Sequence, residues 1–322
     1  MRKKQGLLML TVCVAAIVLA PNAFGATLNV PGGYATIDAA IGAAGTGDTV
    51  LCQPGTYTPA DFMGKAITVQ CASPPNCTIG CYGTEPFGFI FENGEGANSV
   101  VSGFTIIGAM VAPISCTASS PTITDCVMRD NDAGEIGGVY CDGASPVINN
   151  CTIEDNNDSL IALGVFGEND SSPTITNCTF RNNHVSEAGV IAFVGGSPTI
   201  SDCTVSDNNG ELSGGMHFDN SSPTITGCTI TANVGGTGIY SSGDPIAGGI
   251  VCAGGSPSIS ECTITYNQGD YAGGILCVDS IASPNITDST ISDNTGYVGG
   301  ISFSDTSGTI SDCNVVNNAG YG

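Results

Sequence analysis

A twelve-residue pattern, Ser-Pro-Thr-Ile-Thr-Asp-Cys-Val-Met-Arg-Asp-Asn at residues 120 to 131, returns along the chain. It restricts the protein to a fold made of stacked copies of one unit. The prolines recur at Pro121, Pro146, Pro173, Pro198, Pro223, Pro257 and Pro284, at spacings of 25, 27, 25, 25, 34 and 27. Five residues after each proline stands a cysteine: Cys126, Cys151, Cys178, Cys203, Cys228 and Cys262, then Ser289 and Cys313. Ten residues after it stands an asparagine: Asn131, Asn156, Asn183, Asn208, Asn233, Asn267, Asn294 and Asn318.

Inside each unit the apolar residues are spaced three and then two apart, as in Ile123, Cys126 and Met128. Strict strand alternation needs even spacing, so the extra residue implies a bend. The residue before the cysteine is Asp125, Asn150, Asn177, Asp202, Gly227, Glu261, Asp288 or Asp312. Most of these types tolerate left-handed backbone. A second apolar segment follows each asparagine, often after a Gly pair, and its inner column reads Cys116, Cys141, Phe166, Phe193, Phe218, Cys252, Cys277 and Phe303. The expected fold is all-β, a solenoid of about ten coils with three short strands per coil, each strand pairing with its counterpart one coil on. The leucine-rich horseshoe shares the I-x-x-C-x-I-x-x-N frame, but only six Leu follow residue 25 and the return segments are Gly-rich and β-branched.

Upstream, residues 35 to 44 are Ala- and Ile-rich at helical spacing and predict one short helix that covers the first end of the stack. Strands are expected at 27 to 30, 48 to 52 and 66 to 70, with a turn at 54 to 57. Residues 26 to 100 then form a cap with the first coils, and residues 101 to 322 the repeat coils. The chain opens with Arg2, Lys3 and Lys4, an apolar run from Leu7 to Ala20, and Ala23-Phe24-Gly25. This is the layout of a signal peptide cleaved after Gly25, and it predicts a secreted or cell-surface protein. No later apolar stretch is long enough to span a bilayer.

The net charge is −23, and loss of the leader removes three of the six basic residues and none of the 29 acidic ones, leaving −26. Such a surface repels nucleic acid and anionic membranes, and repels polyanionic glycans unless metal ions intervene. Fifteen of the 16 cysteines lie beyond the leader, most of them at fixed places in the repeat as core residues are. Stacked in register they are expected as packed thiols, with any disulfide formed among Cys71, Cys77 and Cys81. The asparagine column is expected as an amide ladder that satisfies backbone groups at a bend.

Gly33-Tyr-Ala-Thr-Ile-Asp-Ala-Ala-Ile41, Gly47-Asp-Thr-Val50 and Pro54-Gly-Thr-Tyr57, followed by the Ser-Pro-Thr-Ile-x-x-Cys-x-Ile-x-x-x-Asn coils, resemble the right-handed parallel β-helix proteins of the pectate-lyase-like superfamily. The resemblance runs over 26 to 322 and implies a fold often used on polysaccharides. Lyases of that superfamily draw a proton from a uronate with a basic residue while carboxylate-held calcium bridges to the sugar acid. On that analogy Arg129, Glu154 and Arg181, which fall at one place on successive coils, are the catalytic candidates. Asp130, Asp155 and Asp207 are the corresponding calcium candidates. A salt-bridge ladder explains the same stack without catalysis. No Asp-Asp pair, Gly-His-Gly or Arg-Ile-Lys supports a polygalacturonase-type hydrolase.

A loop column acidic at one end ends in Tyr271, Tyr297 and Tyr321, with Tyr240 in the one long insertion. These tyrosines are candidates to stack on sugar rings or to brace the last coils. The leading expectation is an acidic scaffold that contacts a polysaccharide or surface glycan; the alternative is a calcium-dependent polysaccharide lyase. A final coil without a capping element suggests end-to-end self-association.

Overall fold

The structure is a computed structural model. It describes residues 25–321 apart from 83–84, 132–134, 160–163, 186–187, 237–245 and 280–282. The leader read from the sequence, as well as Tyr240 and most of the long insertion, lies outside the described residues.

A β-branched residue flanked by hydroxyls, as in Thr122-Ile123-Thr124, makes a short strand with one side chain inward and two outward. Each such strand pairs in parallel with its counterpart on the next coil, Thr122 with Val147 and Ile123 with Ile148. The result is a right-handed parallel solenoid of about 11 turns, one more than the repeat predicts. The cap strands Thr27–Val30 and Thr49–Cys52 continue the first sheet and supply the difference. Three sheets of 12, 11 and 10 strands form the walls, met in the order first, second and third along each coil. Thr122–Thr124, Val127–Arg129 and Val139–Asp142 are their members in one coil. Two-residue strands such as His184–Val185 and Asn209–Gly210 add a narrow fourth strip after the asparagines. Gly55–Tyr57, read as a turn, is instead the first strand of the second sheet, because Gly55, Thr56 and Tyr57 pair with Cys77, Thr78 and Ile79.

The bend between the first and second sheets is left-handed in every repeat, from φ 55° at Asp125 to 53° at Asp312. The bend before the asparagine is left-handed as well, at Asp130, Asp155, Asn182, Asp207, Ala232, Tyr266, Asp293 and Asn317. Asn and Asp are the non-glycine residues that accept this conformation at least cost, so the backbone explains why both columns are rich in them. Many of the acidic groups thus gather at the corners. The two outward positions of every strand in the 12-stranded sheet, from Thr27 and Asn29 to Thr309 and Ser311, hold no charged residue.

Inside, Ile123, Ile148, Ile175, Ile200, Ile225, Ile259 and Ile286 form a fully buried column, and each contributes about 1.5–3 kcal/mol through the apolar surface it removes from water. The asparagines from Asn131 to Asn294 are buried beside it, and Asn318 on the last coil is half-buried. From Asn156 onward each Asn Oδ1 accepts from the backbone N–H and the Nδ2 of the asparagine one coil earlier, as Asn233 does from Asn208 at 3.1 and 3.0 Å. Each Nδ2 also donates to a carbonyl of the preceding coil, that of Asn208 to Phe180 at 3.0 Å. The ladder thiols stay unbridged and turn toward backbone carbonyls; Cys203 Sγ lies 3.2 Å from the Ser201 carbonyl. Where Ser289 replaces cysteine, its hydroxyl donates to the Thr287 carbonyl at 2.7 Å and accepts from Cys262 N–H at 3.1 Å. Burial pushes Cys52 up to about 12, and pushes Cys116 and Cys141 well up too, so these thiols are protonated hydrophobes. The single disulfide among the described residues joins Cys71 to Cys77, within the expected trio.

One phase differs. The inner column of the third sheet runs Cys141, Gly167, Phe193, Phe218, with Phe166 pointing outward beside Tyr140. A Cβ on Gly167 would lie 2.3 Å from the Phe193 ring, so the glycine is the space that ring fills.

The helix Ile37–Ala43 closes the first end, burying Ile37, Ala40 and Ile41. Thr36 Oγ1 caps it by accepting from Ala39 N–H at 3.1 Å. At its other end Lys65 Nζ donates to the carbonyls of Ile41, Gly42 and Ala44 at 2.6, 2.7 and 2.9 Å. These are the carbonyls a helix terminus leaves without intrahelical partners. Among the described residues no helix is long and apolar enough to cross a membrane.

Candidate functional site

Arg129, Glu154 and Arg181 stand side by side on the outer face of the second sheet, because the ladder pairs Arg129 with Glu154 and Glu154 with Arg181. Glu154 Oε2 takes Arg181 Nε at 2.7 Å and Nη2 at 2.5 Å. Arg129 turns the other way, onto Asp130. The bond and charge of Glu154, with further help from Asp155 and Asp207, push the Arg181 guanidinium further from neutrality. Asp130, Asp155 and Asp207 sit at the left-handed bend positions, and Asp155 Oδ1 accepts from Asn182 Nδ2 at 3.2 Å. Among the described residues no three His, Cys, Asp or Glu side chains are grouped to hold a metal ion.

The tyrosine column forms a second strip. Tyr271 and Tyr297 are ring neighbours with centroids 5.9 Å apart and planes 32° apart. They are 39% and 55% exposed, and Tyr321 is 63% exposed. Their backbone is fixed by pairing: Val298 N–H donates to the Tyr271 carbonyl at 2.8 Å, and Tyr321 N–H to Gly296 at 3.3 Å. Directly after Tyr271, Ala272 is buried in a small apolar cluster with Ala247, Val251 and Leu276 outside the main core. The rings therefore stand on an anchored edge of the solenoid.

A third group is invisible to the repeat count. On the outer face of the third sheet Tyr140 Oη donates to Glu168 Oε1 at 2.5 Å, and the Phe166 ring lies parallel to the Tyr140 ring at 6.2 Å. Burial first, then the Glu168 bond and the charges of Glu168, Asp142 and Glu135, push the Tyr140 phenol well up. That phenol is a donor at neutral pH and does not serve as a base. Further along the same column His217 is largely covered, its Nδ1 lacks a hydrogen-bond partner, and burial lowers its pKa. The phase slip at Gly167 hides this column; a glycine facing a phenylalanine one coil on is the signal that could have located it.

Residues 163–322 match the family described as right handed beta helix region. The parallel register of every strand pair and the match agree. The chain is a right-handed β-helix protein. Among solved structures it resembles Geobacillus virus E2 ORF18, with a TM-score of 0.51 and 14% identity over 84% of this chain and 54% of that one. The β-helix thus spans about half the length of the viral protein. The A-module of the mannuronan C-5 epimerase AlgE4 of Azotobacter vinelandii gives 0.50 and 15% identity over 89% and 94%. The pectate lyase Pel9A gives 0.46 and 13% over 89% and 77%. At these identities the likeness is one of fold. No curated protein matches the β-helix in sequence.

Proposed function

We propose that this β-helix is an exported acidic scaffold that holds a glycan along its tyrosine edge. The observation that carries the reading is the exposed, backbone-anchored row Tyr271, Tyr297 and Tyr321. Tyrosine offers a sugar ring a flat apolar face and a hydroxyl at low entropic cost, and rings already held in a row bind with less ordering still. The state of the arginines favours binding over elimination. A base must give up its proton, and the Glu154 carboxylate holds Arg181 protonated.

Affinity electrophoresis of the purified chain through gels containing soluble polysaccharides tests this. Retardation on one of them is expected, weakened at least tenfold in the Tyr271→Ala, Tyr297→Ala double variant. Tyr82→Ala, which removes an exposed tyrosine elsewhere, leaves retardation unchanged. Equal retardation of the double variant and the parent chain would remove the tyrosine edge from the account.

A further inference from the structure

Building on the proposed tyrosine edge, we infer that the glycan it holds is uncharged. The cationic side chains among the described residues are Lys65, Arg129 and Arg181, and each is committed. Lys65 spends its donors on three helix carbonyls. Arg129 is bound by Asp130, and Arg181 by Glu154 through two nitrogens. Even this most basic patch is acidic in sum, because its two guanidiniums face Asp130, Glu154, Asp155 and Asp207. Of the histidines, His217 is covered and its burial favours the neutral ring.

A polyuronate brings one carboxylate per sugar, and each would approach a strongly acidic chain whose described residues offer no Lys or Arg that is not already paired. Within a Debye length, about 8 Å at physiological salt, that repulsion is unscreened. A neutral chain pays none of it. The tyrosine faces and the hydroxyl-lined outer surface of the 12-stranded sheet show that the molecule does keep uncharged surface available. The inferred ligand is a neutral polysaccharide with exposed apolar ring faces, taken by stacking.

The experiment is retention of the full chain on immobilised neutral β-glucan, galactomannan, polygalacturonate and alginate, at low and high salt, with calcium and with chelator. Retention on at least one neutral polymer, insensitive to salt and chelator and at least tenfold stronger than on either uronate polymer, is expected. Retention on a uronate polymer while the neutral ones fail to hold the chain overturns the inference, whether or not calcium is needed, and leaves the glycan reading standing. Failure to bind any of the polymers counts against both.

Discussion

At the scale of single residues the coil is held by groups that each complete a neighbour's bonding. Asn208 Oδ1 accepts from the Asn183 backbone N–H and from Asn183 Nδ2, both at 3.0 Å, in a dry interior. Asn208→Leu leaves the Asn183 backbone N–H without a partner and Asn183 Nδ2 with only its bond to the Ile153 carbonyl, and should cost about 3 kcal/mol, since an unmet buried polar group costs about 1–3 kcal/mol. Urea unfolding followed by circular dichroism would show it as a lower midpoint. Gly167 has the opposite role, that of a space. Gly167→Ala drives a Cβ into the Phe193 ring and should cost about 1–3 kcal/mol by overpacking. Phe193→Leu in the same chain should recover part of that loss, a coupling that a double-mutant cycle measures directly. These two positions also show how far the sequence could be read. Asn208 was legible because a ladder residue must recur at the same place in each coil to bond above and below. The Gly167 phase was not, because Phe166 is apolar and outward and so imitates the inward residue, and the two extra residues of its coil blur the count.

Among elements, the decisive joints are those that tie the cap to the first coils. Lys65 closes the helix C-terminus, while Glu95, buried, accepts from Gly64 N–H at 2.7 Å, Asn93 N–H at 2.8 Å and Ser119 Oγ at 2.9 Å. Burial alone would raise the Glu95 pKa, but these donors outweigh it and hold the carboxyl below its ordinary range. A carboxylate with a lowered native pKa contributes stability that is fully present above its unfolded pKa and is lost as pH falls through the native one. Acid titration of thermal stability should therefore show a decline that is shallower in Glu95→Gln, which starts less stable at neutral pH. Parallel declines in the two proteins would show that the joint carries no proton linkage. None of this was readable beforehand: the repeat announces the coils, whereas Glu95 and Lys65 act through contacts 31 and 24 residues away that recur nowhere else. The Arg129, Glu154, Arg181 stack was readable for the opposite reason, being set by register, while its internal pairing depended on which way each guanidinium turns.

For the whole molecule, the solenoid separates charge from flat surface. Left-handed corners collect Asp and Asn for backbone reasons, so much of the acidity lies along the corners, and the outward strand positions of the 12-stranded face carry uncharged side chains, mostly hydroxyls over the repeat coils. The tyrosine row then occupies one edge of this acidic solenoid, where the proposed neutral glycan would lie. The sequence contains no Trp, so its intrinsic emission comes from tyrosine alone. The measurement that tests the central claim most directly is a titration of that emission with the polysaccharide that retards the chain, in the parent protein and in the Tyr271→Ala, Tyr297→Ala variant. The account predicts a saturable change in the parent at the concentrations where retardation occurs, and its loss in the variant together with at least tenfold of the affinity. Binding of undiminished strength in the variant, with the same emission change, would contradict it.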